Sequence, residues 1–379
     1  MMKVLFTAFK HNPVGLKSIS TASYQFYSAI KNNNHEIKVI GPYDELLHPL
    51  ERVLNKIYKS SNKWNYLKYK WTNTIKACRE LNEIDEKWKP DLIFSLTPSP
   101  FAFYKGQTPI IFRTDTTFLG MHQQANKYLK QDPIMLKQMV WQEKRAFSKC
   151  NMVITHSKWS KGVLIKSYGL NPKKISYFPN PALVNNINHK KIIAKGSNYS
   201  NKIIKLLTVG RDYDRKGIGI AIKIVNELNE EGVPSRLMIV GLNGKNGRNH
   251  KFFGEYDKAN RTHLENYKNF FIDSHLLLHP ARFDASPIVT SEASAFGLPT
   301  ITNDSGGLAT SVKHNVSGIV VPKNSNSAEY VAAIKNLLLK PDQYRLLRQL
   351  TRERYIKSLN WEVAGEKLER VFNYAIGKK

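Results

Sequence analysis

The sequence is short of cysteine, of acidic residues and of long apolar runs. Two cysteines in 379 residues, Cys78 and Cys150, exclude a disulfide scaffold and a cysteine-rich zinc module, and fit a reducing compartment. No apolar run approaches the roughly 18 residues of a spanning helix. The opening MMKVLFTAFKHNP has too short an apolar part for a signal peptide and no small-residue cleavage site. A soluble cytoplasmic protein is expected. Acidic residues number 30 against 58 lysines and arginines, a formal net charge of +28 that is spread over both halves of the chain. Such a surplus points to an anionic partner (nucleic acid, an acidic membrane leaflet or a phosphorylated substrate) or else to a lysine-rich surface that only faces water. What is present is 41% hydrophobic and 11% aromatic residues, enough for two ordinary cores and too much for a disordered chain.

Short apolar runs alternate with helical patterns. Residues 3–9 (KVLFTAF), 36–40 (EIKVI), 91–96 (DLIFSL), 109–113 (PIIFR) and 152–155 (MVIT) read as strands, with helices over 18–32 and 132–149. After a polar Asn- and Lys-rich stretch the alternation restarts, with strands at 203–209, 236–240, 274–278, 300–303 and 318–321. Helices are expected there at 219–231, 261–271, 290–296 and 327–339. This pattern predicts an α/β chain of two doubly wound domains, 1–183 and 202–358, joined by a linker at 184–201. A last helix within 359–379 has no strand of its own and is free to pack back on the first domain. Ligands of such sheets lie beyond the carboxyl ends of the strands, so a substrate cleft between the domains is expected.

Two places carry candidate chemistry. The strand ending at Val209 runs into Gly210 and Arg211, and Lys216-Gly217 opens the next helix. Cations and backbone N–H groups at a helix start suit a diphosphate, although Arg211 and Lys216 also read as ordinary surface cations. Further on, Asp284 precedes a helix and Glu292 lies in its first turns. Both accept hydrogen bonds from hydroxyls of one elongated ligand, such as sugar and ribose, while Glu292 also reads as an acid favouring a helix start.

The ordered set Gly210-Arg211, Lys216-Gly217, Asp284, Glu292-Ala293, Phe296-Gly297-Leu298-Pro299, Asp304-Ser305-Gly306-Gly307, Asn315 and Gly318 resembles the donor domain of family 4 retaining glycosyltransferases of the GT-B fold. Glu143-Lys144-Arg145-Ala146-Phe147, Val153 to Ser157, Tyr168-Gly169 and Pro179-Asn180 resemble the segment before that family's linker, so the likeness runs from about residue 90 to 375. The resemblance implies two Rossmann-like domains facing across a cleft, and a nucleotide-sugar donor, UDP- or GDP-linked, with no metal. It implies that Arg211 and Lys216 hold the diphosphate, that Asp284 binds the donor sugar and that Glu292 binds the ribose. Gly210, Ile288, Val289, Ser305, Gly306 and Gly307 complete the nucleotide-binding set. Asp115 stands where the family has a His or Asp that reaches the transferred sugar, with His122 the weaker choice. Departures are Asp284 for the usual Glu, Pro287 for a frequent Gly, Pro181 after Asn180, no Glu after Gly307, and a first loop at 10–15 without paired glycines.

The basic, aromatic stretch 52–79 has apolar residues at helical spacing (Val53, Ile57, Trp64, Leu67, Trp71, Ile75, Cys78) among lysines and tyrosines. It suits a helix lying on an anionic membrane, and equally a helix packed on the first domain with its lysines in water; single-stranded nucleic acid ranks below both. The expected activity is transfer of a sugar to a glycan or lipid acceptor, in cell-envelope synthesis at the inner face of the membrane. The competing reading is a basic, non-catalytic adaptor for nucleic acid or membrane on a degenerate transferase scaffold. A dehydrogenase lacks its GxGxxG, and Asp212-Tyr213-Asp214 reads as turn acids rather than a metal site.

Overall fold

A computed structural model describes residues 1–7, 22–41, 71–125, 133–184 and 203–378. The chain forms two units, Met1–Phe178 with Ala364–Lys379, and Pro179–Val363. In the first, β1 (Lys3–Thr7), α1 (Ala22–Asn32), β2 (Glu36–Ile40), α2 (Trp71–Trp88), β3 (Leu92–Ser95) and β4 (Ile110–Arg113) are followed by α3 (Phe118–Ala125), α4 (Pro133–Lys149), β5 (Met152–Thr155), α5 (Lys158–Tyr168) and β6 (Ile175–Tyr177). The strands are parallel in the order β2-β1-β3-β4-β5-β6. Every residue of β3, β4 and β5 is buried, as a sheet covered on both faces requires, which is why these strands are continuous apolar runs. By contrast, β2 sits at the edge with Glu36 and Lys38 in water.

Of the stretch 52–79, residues 52–70 lie outside the described residues. The rest belongs to α2, which continues to Trp88 and buries Thr74, Ala77, Cys78 and Leu81. Cys78 of the expected stripe faces the core, but Ile75 is 39% exposed, so the buried face is rotated from the one read in the sequence.

The second unit holds β7 (Ile204–Val209), α6 (Ile218–Glu230), β8 (Ser235–Val240), β9 (His250–Phe252), α7 (Arg261–Ile272), β10 (Leu276–His279), α8 (Ile288–Ala295), β11 (Thr300–Asn303), α9 (Leu308–Ser311), β12 (Gly318–Val321), α10 (Ser327–Leu338) and α11 (Pro341–Ser358). Its parallel order is β12-β11-β10-β7-β8-β9. The chain starts in the middle at β7, winds outward to β9, then crosses back to β10 and winds the other way. The direction reverses between β7 and β10, the point in such sheets beyond which ligands bind at the carboxyl ends of the strands.

The final helix α12 (Trp361–Ala375) re-enters the first unit at Ala364. There Asn33 Nδ2 donates to Gly365 O at 3.3 Å and to Glu369 Oε1 at 2.9 Å, and His35 Nε2 lies 2.6 Å from the same carboxylate. The Phe372 ring is buried 5.9 Å from that of Phe94 on β3.

Candidate functional site

The loops after β7 and β10 meet at the reversal point of the second sheet. Gly210 N–H donates to Val240 O at 2.9 Å, and the Lys216 stem lies so close over Gly210 that a Cβ there would come within 2.7 Å of it. Gly217 holds φ +66°, and a Cβ would overlap the Pro280 carbonyl oxygen; only glycine lets the start of α6 approach the β10 loop this closely. Arg282 N–H donating to Arg215 O at 2.9 Å ties the loops a second time.

That juncture gathers charge around Asp284. Its Oδ2 pairs with Lys216 Nζ and lies 3.6 Å from an Arg215 nitrogen and 3.8 Å from His279 Nε2; its Oδ1 accepts from Ser286 N–H at 3.2 Å. Lys216 and Asp284 side chains are only 13% and 11% exposed. Burial alone would raise the Asp284 pKa, but the Lys216 charge, His279 and Arg215 outweigh it and hold the carboxyl far below its ordinary range. Asp284 is therefore an anion throughout the working pH range and cannot lend a proton. The backbone of the Ser305–Gly307 turn closes on it: Gly307 N–H donates to Asp284 O at 2.8 Å, and Gly306, at φ +63°, approaches so closely that a Cβ would lie 2.6 Å from that oxygen.

Glu292 forms a second buried acid site on α8. Lys258 Nζ reaches its Oε1 at 2.6 Å and the Tyr267 hydroxyl its Oε2 at 2.6 Å, with the Lys258 ammonium 4.1 Å from the Tyr267 ring centre. Burial and the adjoining Glu292 charge push the Tyr267 pKa well up, so the phenol stays a donor. Ile288 and Val289 open α8 behind Pro287, whose side chain offers no cap to the first amides. Asn180 Nδ2 donates to Ser286 Oγ at 3.0 Å and Ser291 Oγ donates to Asn180 O at 2.6 Å, locking the turn that carries Asp284.

The second unit thus gathers Gly210, Lys216, Asp284, Ser305, Gly306 and Gly307 around one juncture, with Ile288, Val289 and Glu292 on the helix that follows. Arg211 is placed apart: its side chain is 72% exposed and lies 3.5 Å from Glu255. The arginine beside Asp284 is Arg215, 3.6 Å from its Oδ2, whereas the Arg211 charge is felt at Tyr267. Asp212 accepts from Arg215 N–H at 2.9 Å and from its Nε at 3.3 Å, a turn acid serving its own loop. Sequence reasoning passed over Arg215, Lys258, Tyr267 and His279.

In the first unit, Asp115 follows β4 and both its oxygens are held by Arg113, at 2.7 and 3.1 Å. Arg113 Nε donates to His156 Nε2 at 2.7 Å, and His156 Nδ1 faces Phe178 O at 2.8 Å, so the imidazole is neutral with its proton on Nδ1. Burial first, then the Arg113 charge, lowers its pKa to about 3. The same loop ends at α3, whose first amide, Phe118 N–H, donates to the carboxyl group of the buried Glu143, 3.1 and 3.0 Å from its two oxygens; the Tyr168 hydroxyl pairs with that carboxyl group too. His122 lies on α3, partly buried.

Comparison with known proteins agrees with this architecture. The family described as "Glycosyl transferases group 1" matches residues 189–354, and "Glycosyltransferase Family 4" matches residues 19–182. The "Phosphatidylinositol N-acetylglucosaminyltransferase gpi3 subunit" of Schizosaccharomyces pombe is 21% identical over 236 residues, 61% of this chain and 50% of that protein. The chain therefore spans about half the length of this relative. Among solved structures, sucrose-phosphate synthase from Thermosynechococcus elongatus superposes with a TM-score of 0.72 at 16% identity over 100% of both chains. HepE of Anabaena in complex with UDP-glucose gives a TM-score of 0.62 at 15% identity, covering 98% of this chain and 100% of that one. At these identities the likeness is one of fold.

Proposed function

The chain belongs to the family 4 glycosyltransferases of the GT-B fold, and from that premise we propose that it moves a sugar from a nucleotide-linked donor to an acceptor hydroxyl, with retention at the anomeric carbon. The observation that carries this reading is the convergence of Lys216, Arg215 and a helix start on one buried carboxylate at the reversal point of the second sheet.

In this reading the diphosphate lies against Lys216 and Arg215 with Arg211 at its outer edge. Gly210, Ser305, Gly306 and Gly307 allow backbone approach, and the first amides of α8 at Ile288 and Val289 add N–H donors. Asp284, always ionised, accepts from donor-sugar hydroxyls, and Glu292 accepts from the ribose. Asp115, oriented by Arg113 within the first unit, is assigned to the transferred sugar by the family resemblance. The bond from the anomeric carbon to the phosphate oxygen breaks as that from the acceptor oxygen forms, and the acceptor proton passes to the departing phosphate. Negative charge grows on the leaving group, so cations already in place stabilise that state more than the ground state. The reading requires no metal.

UDP-glucose bound to the HepE neighbour supports a nucleotide-sugar donor, UDP- or GDP-linked. The phosphatidylinositol in the yeast relative's name supports a lipid or lipid-linked glycan acceptor, and the +28 charge favours work at an anionic leaflet. The basic 52–79 stretch is the part proposed to make that contact; no helix among the described residues is long and apolar enough to cross a membrane. The direct test is a thermal-shift panel of UDP-, GDP- and ADP-sugars. At 100-fold excess over Kd, binding should raise the second unit's transition by about 5–10 °C. Lys216→Ala and Asp284→Asn should abolish the shift and the release of nucleotide from the same donor. A wild-type protein indifferent to the whole panel overturns the reading.

A further inference from the structure

His279 ends β10 with no exposed surface, and neither ring nitrogen has a hydrogen-bond partner. Fully buried imidazoles without partners are uncommon because each polar atom gives up its water for nothing. This one is aimed at the candidate site: Nε2 lies 3.8 Å from Asp284 Oδ2, just beyond hydrogen-bonding distance. It is also neutral, since burial, and then the nearby Lys216 and Arg215 charges, lower its pKa against the opposing pull of Asp284.

The arrangement at Oδ2 explains why such a group would be kept. Three donors converge on that one oxygen, Lys216 in contact, Arg215 at 3.6 Å and His279 at 3.8 Å, while Oδ1 is occupied by Ser286 N–H. A diphosphate arriving at the loop after β7 competes with Asp284 for both cations. If they turned to the phosphates before a sugar hydroxyl reached Asp284, as with a nucleotide that carries no sugar, and nothing replaced them, Oδ2 would be a buried, unpaired anion, and that penalty would be charged against nucleotide binding. We infer that His279 is the reserve partner of Asp284: as Lys216 turns to the diphosphate, the Nε2–H tautomer closes the remaining distance and donates to Oδ2. His279 is then a positioning residue, touching neither sugar nor phosphate, and the inference rests on the donor-site reading above. It assigns a use to a buried histidine that the ligand-free fold alone would do better without.

The test separates this from a structural role by the direction of the stability change. Wild type, His279→Leu and His279→Gln are compared for apo thermal stability and for binding of UDP, GDP and ADP by calorimetry. His279→Leu removes an unpartnered polar group and should leave the apo transition unchanged or raised, while weakening the tightest-binding nucleotide about tenfold. His279→Gln keeps an N–H at similar reach and should restore most of that affinity. Equal affinity of wild type and His279→Leu overturns the inference while the donor site stands. A loss of apo stability in His279→Leu that His279→Gln does not repair shows a packing role and overturns it as well. Failure of wild type to bind any of the three nucleotides removes the donor-site reading, and the inference falls with it.

Discussion

Replacing Glu143 by glutamine should change how the stability of the first unit depends on pH. Glu143 is fully buried, and its pKa is raised from 4.5 to about 8, by burial first and against the lowering hydrogen bonds from Tyr168 and Phe118. The unfolded chain therefore releases this proton near pH 4.5 and the folded one near pH 8. Between those values the folded state holds more protons, so the stability contributed by the group is complete below pH 4.5 and is lost as pH rises toward 8. A shift of this size corresponds to about 5 kcal/mol across that window. Glutamine keeps an oxygen for Phe118 N–H and carries no charge at any pH. The two proteins should match within about 1 kcal/mol at pH 5, and the variant should gain progressively until about pH 8 and stay ahead beyond it. Urea unfolding followed by tryptophan fluorescence at pH 5 to 9 is the assay, because Trp71, Trp88, Trp141 and Trp159 belong to the first unit and Trp361 to the second. A difference between variant and wild type that stays constant over this range would refute the argument, for it would mean the folded protein carries Glu143 ionised throughout.

Lys216→Met takes the contacting cation from Asp284 and should lower the second unit's stability by about 1–3 kcal/mol, the nearby Arg215 and His279 limiting the loss, and Lys216→Met with Asp284→Leu should recover most of it; additive losses in thermal unfolding would show the pair is not coupled. Tyr267→Phe removes one of two donors to the buried Glu292 and should cost about 1.5–3 kcal/mol in the same unfolding experiment. Gly217→Ala, forced to hold φ +66° against the Pro280 carbonyl, should destabilise by more than about 1 kcal/mol and weaken nucleotide binding, whereas Gly232→Ala, also at positive φ but with open space around it, should cost only the backbone strain.

How much of this was legible in the sequence follows burial. Inner strands β5 and β11 begin and end where the run does because a sheet covered on both faces demands unbroken apolar runs, and the edge strands β2 and β12 also match their runs. The three-residue strands β6 and β9 were missed, each at the end of its sheet and too short to make a run. Helix α11 was missed because its charged RLLRQLTRERY face buries little beyond Tyr344, Leu347 and Thr351. The strand expected at 274–278 begins later because Ser274 still closes α7, its hydroxyl donating to Phe270 O. In the site, Lys216, Asp284 and Glu292 stand in loops or first turns where a spacing rule points to them. Lys258 and Tyr267 meet Glu292 across 34 and 25 residues of chain with no motif to announce them. His279 looked like one more residue of the apolar run LLLH, and its significance lies in the partners it lacks.

The return of α12 to the first unit also sets an order of events during synthesis. The ribosome delivers Asn33, His35 and Phe94 early, but the Glu369 and Phe372 that cover them emerge only after residues 179–363 have been made. At roughly 5–20 residues per second, that is a wait on the order of ten to forty seconds. Through that interval the nascent first half carries an uncovered apolar patch, and a chain cut short before Ala364 would keep it for life.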